Sequence, residues 1–377
     1  MRFYLELAPV AEALHDAALR SPGLAAASPL ERLKLLARAG RVSTKILAGM
    51  GKRAADYLGG TSSRFRRFID AQLQIFAQAA SRDCAYLYAA VALAQPLRGM
   101  YTMRGGAQSL PDSLAESIRK SGGTVRLNTP ALRLAYDSRG RAAGVQLLSG
   151  ETVEAGRAVI SNLTVWDTYG KLVGAERTPP ALRSQLKASR GWGAYLLFLN
   201  MEEGAAGRLP NERVLVLDDW QEGEEFDPER SMFMFSASPG GAAGGARSVT
   251  VSAFTDAEQW FSFHTDEAEH EAQDQRALEA LWGRVHAALP ELGSGVEVVE
   301  TATPRAFYER TRRRLGMVGG TPRTPEALVG PGALTHRTIV ERLFIVGDTV
   351  FPGNGLAAVT HSALAAADEI ERRKRSR

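Results

Sequence analysis

The stretch RLFIVGDTVFPGNGLAAVTHSALAAADEI, residues 342–370, decides how the rest of the sequence can fold. Residues 343–346 form a short apolar, partly β-branched run that is typical of a buried strand. Gly347 and Asp348 follow, then a turn rich in proline and glycine, and then an Ala/Leu-rich run over 356–370 that predicts a helix. A strand that enters a glycine-rich turn and a new helix N-terminus offers unpaired N–H groups to an anion or a polar ligand.

Several residues of this C-terminal tract, defined here as 343–357, are candidates for ligand binding. Asp348 lies at the end of the strand, where it can accept hydrogen bonds from hydroxyl groups, and the glycines let the backbone approach a flat ligand closely. The alternative is an ordinary strand-to-helix turn in which Asp348 only caps the helix. The candidates are Gly347, Asp348, Gly353, Asn354, Gly355, Leu356 and Ala357.

Composition limits the classes of protein that this sequence can represent. With 377 residues, 45% hydrophobic and 23% charged, the chain is long enough for two domains or one large interleaved pair. The net charge of +4 is mild, and basic residues do not interleave with aromatic ones, so we expect no nucleic-acid partner. One cysteine, Cys84, excludes a disulfide within the chain, and the six histidines lack metal-site spacing, which predicts no metal.

The sequence also shows no pattern typical of a signal peptide or a membrane-spanning helix. The first 20 residues carry acidic side chains within their apolar periodicity, unlike a signal peptide, and no apolar run reaches about 18 residues. We therefore expect a cytoplasmic protein. Its basic, apolar-rich composition leaves peripheral contact with an anionic membrane open.

Residues 1 to about 95 predict helices. A helix start stands at 28–31, and helical apolar spacing recurs over 30–37, 52–58 and 63–80. Arg64, Arg66 and Arg67 stand between the apolar positions of the last of these helices. One interpretation is a small helical subdomain with a solvated basic face. The other is a lid whose apolar residues line a tunnel for a lipid-like substrate.

The segment 101–162 predicts one helix followed by strands. A helix over 110–121 ends at a glycine pair, and strands follow at 124–127, 132–136, 143–148, 151–154 and 158–160. The segment 166–300 predicts five more strands, at 192–200, 214–217, 232–236, 248–253 and 296–301, and a helix over 267–289. We expect these strands to form a sheet with one covered face. The GGAAGG run at 240–245 is not a dinucleotide fingerprint, because a strand rather than a helix follows it.

Several motifs resemble those of the phytoene desaturase and carotenoid isomerase-like branch of the FAD-dependent amine oxidase superfamily. They are the strand ending in GD with its PG-x-G turn, RGGAQSL at 104–110, VRLNTPA at 125–131 and ATPRAFYERT with GMVGGTP at 302–322. The resemblance implies that Arg104, Gly105 and Gly106 pass near the isoalloxazine and that Ala131 lies beside the adenine. Arg312, Arg313 and Arg314 lie near the expected cofactor, although we expect them to be solvated.

The resemblance implies an α/β fold: a partial FAD-binding domain, Rossmann-like and of the glutathione-reductase type, interleaved with a substrate domain of mixed sheet plus a helical lid. The expected organisation is a helical lid over 1–98, an FAD-domain segment over 99–165, a β-sheet substrate domain over 166–300 and a second FAD-domain segment over 301–377.

The strand, GxGxxG loop and helix that hold the FAD pyrophosphate in the family have no counterpart in this sequence. Three explanations for the missing segment remain open: a truncated product or misplaced start, a split protein whose other part is a partner chain, or a remnant that no longer binds flavin.

The function implied by the resemblance is FAD-dependent dehydrogenation or isomerisation of a long apolar isoprenoid, with hydride passing to the flavin inside a dry tunnel. No residue stands out as the catalytic acid or base. An amine oxidase-like flavoenzyme for a small amine is one alternative, although such enzymes use aromatic cages and aromatic residues make up only 7% of this chain. A flavin-free partner subunit without catalysis is the other.

Overall fold

The computed structural model describes residues 2–26, 30, 43–99, 101, 103–202, 205, 213–218, 221, 223–238, 246–261, 266–292, 295–329 and 333–375. The helix start predicted at 28–31, most of the run at 30–37, and the GGAAGG run lie outside these residues. The described chain forms a helical layer, two small sheets and a larger five-stranded sheet.

The helical layer is built from the N-terminal quarter of the chain. Its helices are α1 (Arg2–Arg20), α2 (Ser43–Gly49), α3 (Ser63–Ala77) and α4 (Tyr86–Ala94). Helix α3 begins where the Ser62 hydroxyl accepts a hydrogen bond from the Phe65 N–H, and it ends at Gln78, whose φ of 56° is left-handed. Leu7, Leu73 and their neighbours form its buried core. The helix predicted at 52–58 is only a short 3₁₀ turn, Ala54–Tyr57.

The central segment contains helix α5 (Ser109–Lys120) and an antiparallel three-stranded sheet. Its strands are β1 (Ala131–Tyr136), β2 (Ala142–Leu147) and β3 (Thr152–Glu154), close to their predicted bounds. The strand predicted at 124–127 is wrong, because these residues are irregular and Leu127 is 75% exposed. A strand is held by hydrogen bonds to a neighbour, and within the described residues no strand runs beside this one.

A five-stranded antiparallel sheet follows α6 (Pro180–Ala188). Its strands are β5 (Trp192–Glu202), β6 (Arg213–Leu217), β7 (Met232–Ala237), β8 (Ala246–Asp256) and β9 (Val296–Ala302), in the order β6-β7-β8-β5-β9. One face is covered by α7 (Glu267–Ala288), which buries Leu281 and Val285 against it. The other face turns toward α3, where Met232 and Phe254 contact Ala71. The expected sheet with a covered face is therefore present.

The last part of the chain returns to the central segment. After α8 (Pro304–Thr311), strand β10 (Leu343–Ile345) pairs in parallel with β4 (Val159–Ser161), and α9 (Leu356–Arg375) follows. A buried cluster fixes α9 on β10: the Glu369 carboxylate bonds to His336 at 2.9 Å and to Arg337 at 2.7 Å, and the His336 ring stacks on Phe344. This packing positions the C-terminal tract.

Candidate active site

The C-terminal tract forms the strand, turn and helix start that the sequence predicts. Gly347 has a φ of 116°, and its N–H donates to the Ser362 hydroxyl at 2.9 Å, which ties the end of β10 to α9. Gly353 and Gly355 also have positive φ, of 131° and 90°. Residues 355–357 are exposed, so the first N–H groups of α9 face open space where a polar ligand can accept from them.

Asp348 is paired with an arginine from the preceding loop. Arg313 contacts the Asp348 carboxylate at 2.9 Å, and it also donates to the carbonyl oxygens of Met317 at 2.9 Å and Gly319 at 2.8 Å. Arg313 is three-quarters buried, so the prediction of a solvated position is wrong for it. The cause is the fold, which places this arginine against a carboxylate 35 residues further along the chain. The pair fixes the loop 313–319 beside the tract.

A second arginine joins the tract to the helical layer. Arg323 is buried, and its guanidinium donates to the Asp348 carbonyl at 2.6 Å. Its backbone N–H donates to Ala77 at the end of α3, and its carbonyl accepts from Ala85 before α4. Burial lowers the pKa of this guanidinium, against the opposing effect of Tyr88 and Asp348. Arg323 therefore fixes the C-terminal tract, the end of α3 and the start of α4 relative to one another.

Two glycines make room for this arginine. A Cβ at Gly353 would lie 2.5 Å from the Arg323 Nε, and a Cβ at Gly320 would overlap the Asp348 carbonyl oxygen. Any side chain at either position would displace the guanidinium or the tract. The glycine of the PG-x-G turn is thus required for packing as well as for its backbone conformation.

A cavity of about 560 Å³ opens between α3 and the five-stranded sheet. Phe65, Phe68, Arg67 and Leu217 line it, together with Ser62 and Arg64. Arg67 is buried and donates to the Ser231 hydroxyl at 2.6 Å, so it does not belong to a solvated basic face. Arg64 and Arg66 are exposed, as a solvated basic face predicts, so Arg67 alone of the three departs from that interpretation, and the lid stays a prediction.

A row of half-buried apolar side chains lies between this cavity and the tract. We call it the apolar corridor and define it as the side chains that pack on the core cluster of Ala71, Met232 and Phe254, namely Ile75, Trp192, Leu215, Leu217 and Phe226, of which Leu217 also lines the cavity. The inner end of the corridor touches the tract, because the Ile75 carbonyl accepts from the Asn354 amide at 3.1 Å. The Trp192 carbonyl accepts from Val318, next to Gly319.

A second cavity, of about 540 Å³, has an aromatic floor and a basic rim. The short helical turn Val165–Asp167, the π-helix Thr168–Leu172 and α6 form much of its wall. Arg314 lies over the Trp166 ring and Lys171 pairs with Asp167 at 2.8 Å. The basic side chains of the rim are Lys171, Arg183, Lys187 and Arg314, and the aromatic ones are Trp166, Tyr169, Phe261 and Tyr308.

The other predicted site residues lie away from these contacts. Arg104 and Gly105 form an exposed turn that continues into Gly106, and both glycines have positive φ. Ala131 opens β1 with an exposed side chain. Their roles beside the flavin ring and the adenine stay predictions.

Two residues of the site were not among the sequence candidates: Arg313 and Arg323. Arg313 stands in a run of three arginines that looks solvated. The glycines at 316, 319 and 320 were the available signal, because a glycine-rich segment before Arg323 indicates close backbone packing around it.

Two classes of site find no support in the described part of the chain. No group of three or more metal-binding side chains comes together there. Nor does any helix among those residues combine the length and the apolar character that a membrane crossing requires.

The family model described as flavin containing amine oxidoreductase matches residues 10–371. Prolycopene isomerase from Arabidopsis thaliana is 28% identical over 277 residues, which cover 71% of this chain and 44% of that protein. All-trans-retinol 13,14-reductase from Danio rerio is 24% identical over 282 residues, covering 67% and 46%. The chain thus spans less than half the length of both relatives.

Solved structures show the same fold at low sequence identity. An oxidoreductase from Methanosarcina mazei superposes with a TM-score of 0.56 at 16% identity, covering 92% of this chain and 74% of that one. Cyclohexylamine oxidase from Brevibacterium oxydans gives a TM-score of 0.52 at 18% identity, covering 98% and 75%. The predicted fold class, α/β with an FAD-binding type of domain and a substrate domain, is confirmed.

Proposed function

The chain belongs to the flavin-containing amine oxidoreductase family, and from this premise we propose that it is an FAD-dependent oxidoreductase, or the C-terminal part of one, acting on a long apolar isoprenoid. The reaction is a desaturation or an isomerisation of a polyene. Relatives named for prolycopene and retinol support this class of substrate.

The observation that carries the proposal is the apolar corridor. Its aliphatic and aromatic side chains lie between α3 and the five-stranded sheet, from Leu217 at the open cavity to Ile75, whose carbonyl bonds to the C-terminal tract. An extended hydrocarbon is bound by such a surface through the removal of apolar area from water, about 25 cal/mol for each Å².

The tract fits the flavin end of FAD. A Cβ at Gly355 would meet no atom within 4 Å, so the backbone there borders open space that a flat ring can approach. The exposed N–H groups at 356 and 357 can donate to ring carbonyls, and Asp348, oriented by Arg313, can accept from ribityl hydroxyls. When bound, FAD supplies the capacity to take up two electrons as a hydride. We assign no catalytic acid or base.

We further propose that the pyrophosphate of FAD is held by residues outside this sequence, in a longer form of the chain or in a partner chain. The support is an apolar flank on the flavin side of the molecule. Ile160 in the middle of β4 is 51% exposed, and Leu132 in β1 is 50% exposed. Leu114 and Ile118, one turn apart on α5, are exposed as well. A further unit packed here would cover these side chains.

We also propose a domain organisation for the chain. Segments 99–165 and 301–377 form the flavin region, since β4 of the first pairs with β10 of the second. Segment 166–300 forms the substrate domain, and 1–98 covers the corridor as its lid.

Contact with an anionic membrane is proposed through the basic rim of the second cavity. Four cationic side chains surround an aromatic floor there, and aromatic rings with cationic neighbours suit the headgroup region of an anionic bilayer. Sedimentation with vesicles tests it: binding to anionic vesicles but not to neutral ones is expected, and equal binding to both would contradict the proposal.

The absorption spectrum of the purified chain tests the central proposal. Without the residues that hold the pyrophosphate, binding should be weak, so we expect the flavin bands to shift during titration with FAD rather than to survive gel filtration. A chain that leaves the FAD spectrum unchanged would overturn independent flavin binding. A long polyene should then bleach or shift these bands under anaerobic conditions, and a small amine should not. Bleaching by the amine alone would favour the amine oxidase alternative. A chain that leaves the FAD spectrum unchanged and still binds a partner would favour the non-catalytic one.

A further inference from the structure

Three buried side-chain amides beside the C-terminal tract contain polar atoms that lack a partner. Gln74 is 2% exposed and Gln78 is 4% exposed, and Asn354 is half-buried. Within the described part of the chain, the Gln74 Nε2, the Gln78 Oε1 and the Asn354 Oδ1 are buried without a hydrogen bond.

Two of the three amides, those of Gln78 and Asn354, meet at the inner end of the apolar corridor. Gln78 is the left-handed C-cap of α3, and Gln74 lies in the last turn of the same helix. A Cβ built on Gly319 would lie 2.9 Å from the Gln78 Nε2 and 3.4 Å from the Asn354 Nδ2, so both amides border this glycine. The Gly319 carbonyl accepts from Arg313, which also bonds to Asp348. The cluster thus borders the residues assigned to the flavin.

These unpaired groups carry an energetic cost, because each buried donor or acceptor without a partner destabilises the fold by about 1–3 kcal/mol. A hydrocarbon substrate cannot satisfy them, since it has neither donors nor acceptors. The adjoining corridor walls, such as Ile75 and Trp192, are apolar. A ligand that satisfies the amides of Gln78 and Asn354 must present a hydrogen-bond donor to their oxygens.

We propose that Gln78, with Asn354 beside it, hydrogen-bonds to the pyrimidine edge of the flavin ring and positions that ring at the inner end of the corridor. This inference rests on the proposed function. The edge carries an N–H group between two carbonyls, and a primary amide offers both an acceptor and two donors. Rotation of the Gln78 amide exchanges its oxygen and nitrogen, so Gln78 can match the edge in either orientation, whereas the bond to the Ile75 carbonyl fixes the orientation of the Asn354 amide. The amides are positioning residues and take no part in the chemistry.

The test uses the full chain and the ring alone, as lumiflavin and as its N3-methyl derivative, which lacks the N–H group. Fluorescence titration should show that the wild-type chain prefers lumiflavin by about tenfold, the effect of one lost hydrogen bond. Gln78→Met keeps the volume and removes the amide, so this preference should disappear. Gln275→Met, at an exposed position of α7 where the glutamine bonds to Glu279, is the matched control and should retain it.

Thermal unfolding without ligand separates this role from a structural one. Because the Gln78 oxygen is unpaired in the folded chain, Gln78→Met should leave the Tm unchanged or raise it. A lower Tm would show that the amide stabilises the fold and would overturn the inference. Equal affinity of the wild-type chain for the two ring probes would overturn it as well, even if the chain shifts the FAD spectrum. An FAD spectrum that the chain leaves unchanged would instead count against the proposed function.

Discussion

Asp348 is the residue on which the proposed flavin site depends most directly. Asp348→Ala should lower flavin affinity about tenfold or more, because a hydrogen bond to a charged group is worth roughly 1.5–3 kcal/mol. It should also destabilise the chain, since Arg313 would keep its charge without its carboxylate. Flavin fluorescence titration and urea unfolding measure the two effects.

Asp368→Ala is the control for this change, because Asp368 lies on the same C-terminal region but pairs with Arg372 at the surface of α9. It should change neither the affinity nor the stability by more than a few tenths of a kcal/mol. Retention of full flavin affinity by Asp348→Ala would remove Asp348 from the site.

Glu369 gives a second prediction for a single residue, this time about pH. Burial would raise the pKa of its carboxyl, but hydrogen bonds from His336, Arg337 and Arg373 outweigh burial and lower the pKa to about 2. A depressed pKa in the folded state contributes stability above the ordinary pKa of about 4.5, and this contribution is lost as the pH falls toward 2.

Glu369→Gln should therefore destabilise the chain at pH 7 by about 3 kcal/mol, and the difference from the wild type should shrink between pH 4.5 and pH 2. Urea unfolding across this range measures it. A difference that stays constant over the whole range would show that the carboxylate does not contribute through its charge.

At the scale of elements, the sequence predicted most strands within about two residues because their apolar alternation is local information. The strand expected at 124–127 failed for a physical reason: a strand depends on hydrogen bonds to another strand, and the local sequence does not report whether one is present. The tract itself was predicted correctly as strand, turn and helix. Arg313 and Arg323 were missed, since their roles come from contacts between segments distant in sequence.

Alanine substitutions at two glycines test how the elements pack against one another. Gly320→Ala should destabilise the chain by several kcal/mol and reduce flavin binding, because the new Cβ would push the Asp348 carbonyl away from Arg323. Gly283→Ala is the opposite case: Gly283 lies within α7 and its Cβ would meet no atom within 4 Å. That change should stabilise the chain by about 0.5–1 kcal/mol. Equal effects of the two substitutions on urea unfolding would contradict the packing described here.

At the scale of the whole molecule, three distant parts of the chain meet at one place. Helix α3 supplies one wall of the corridor, the five-stranded sheet supplies the other, and the C-terminal tract closes the inner end. Arg323 bonds to the tract and to both ends of the α3–α4 connection, so it holds α3 and the tract in a fixed relative position. Binding of an apolar substrate should therefore depend on residues far from the flavin.

Phe68 is the sharpest test of that dependence. Its ring is 45% exposed and lines the outer cavity, so Phe68→Glu should be tolerated by the fold while it places a charge where a hydrocarbon would enter. We expect polyene affinity to fall at least tenfold, because a carboxylate must lose its water for the chain to bind beside it. Flavin affinity should not change. Leu5→Glu, at an exposed position of α1, is the control and should alter neither affinity. Quenching of protein fluorescence by the polyene measures binding, and a Phe68→Glu variant that binds it as tightly as the wild type would place the substrate path elsewhere in the molecule.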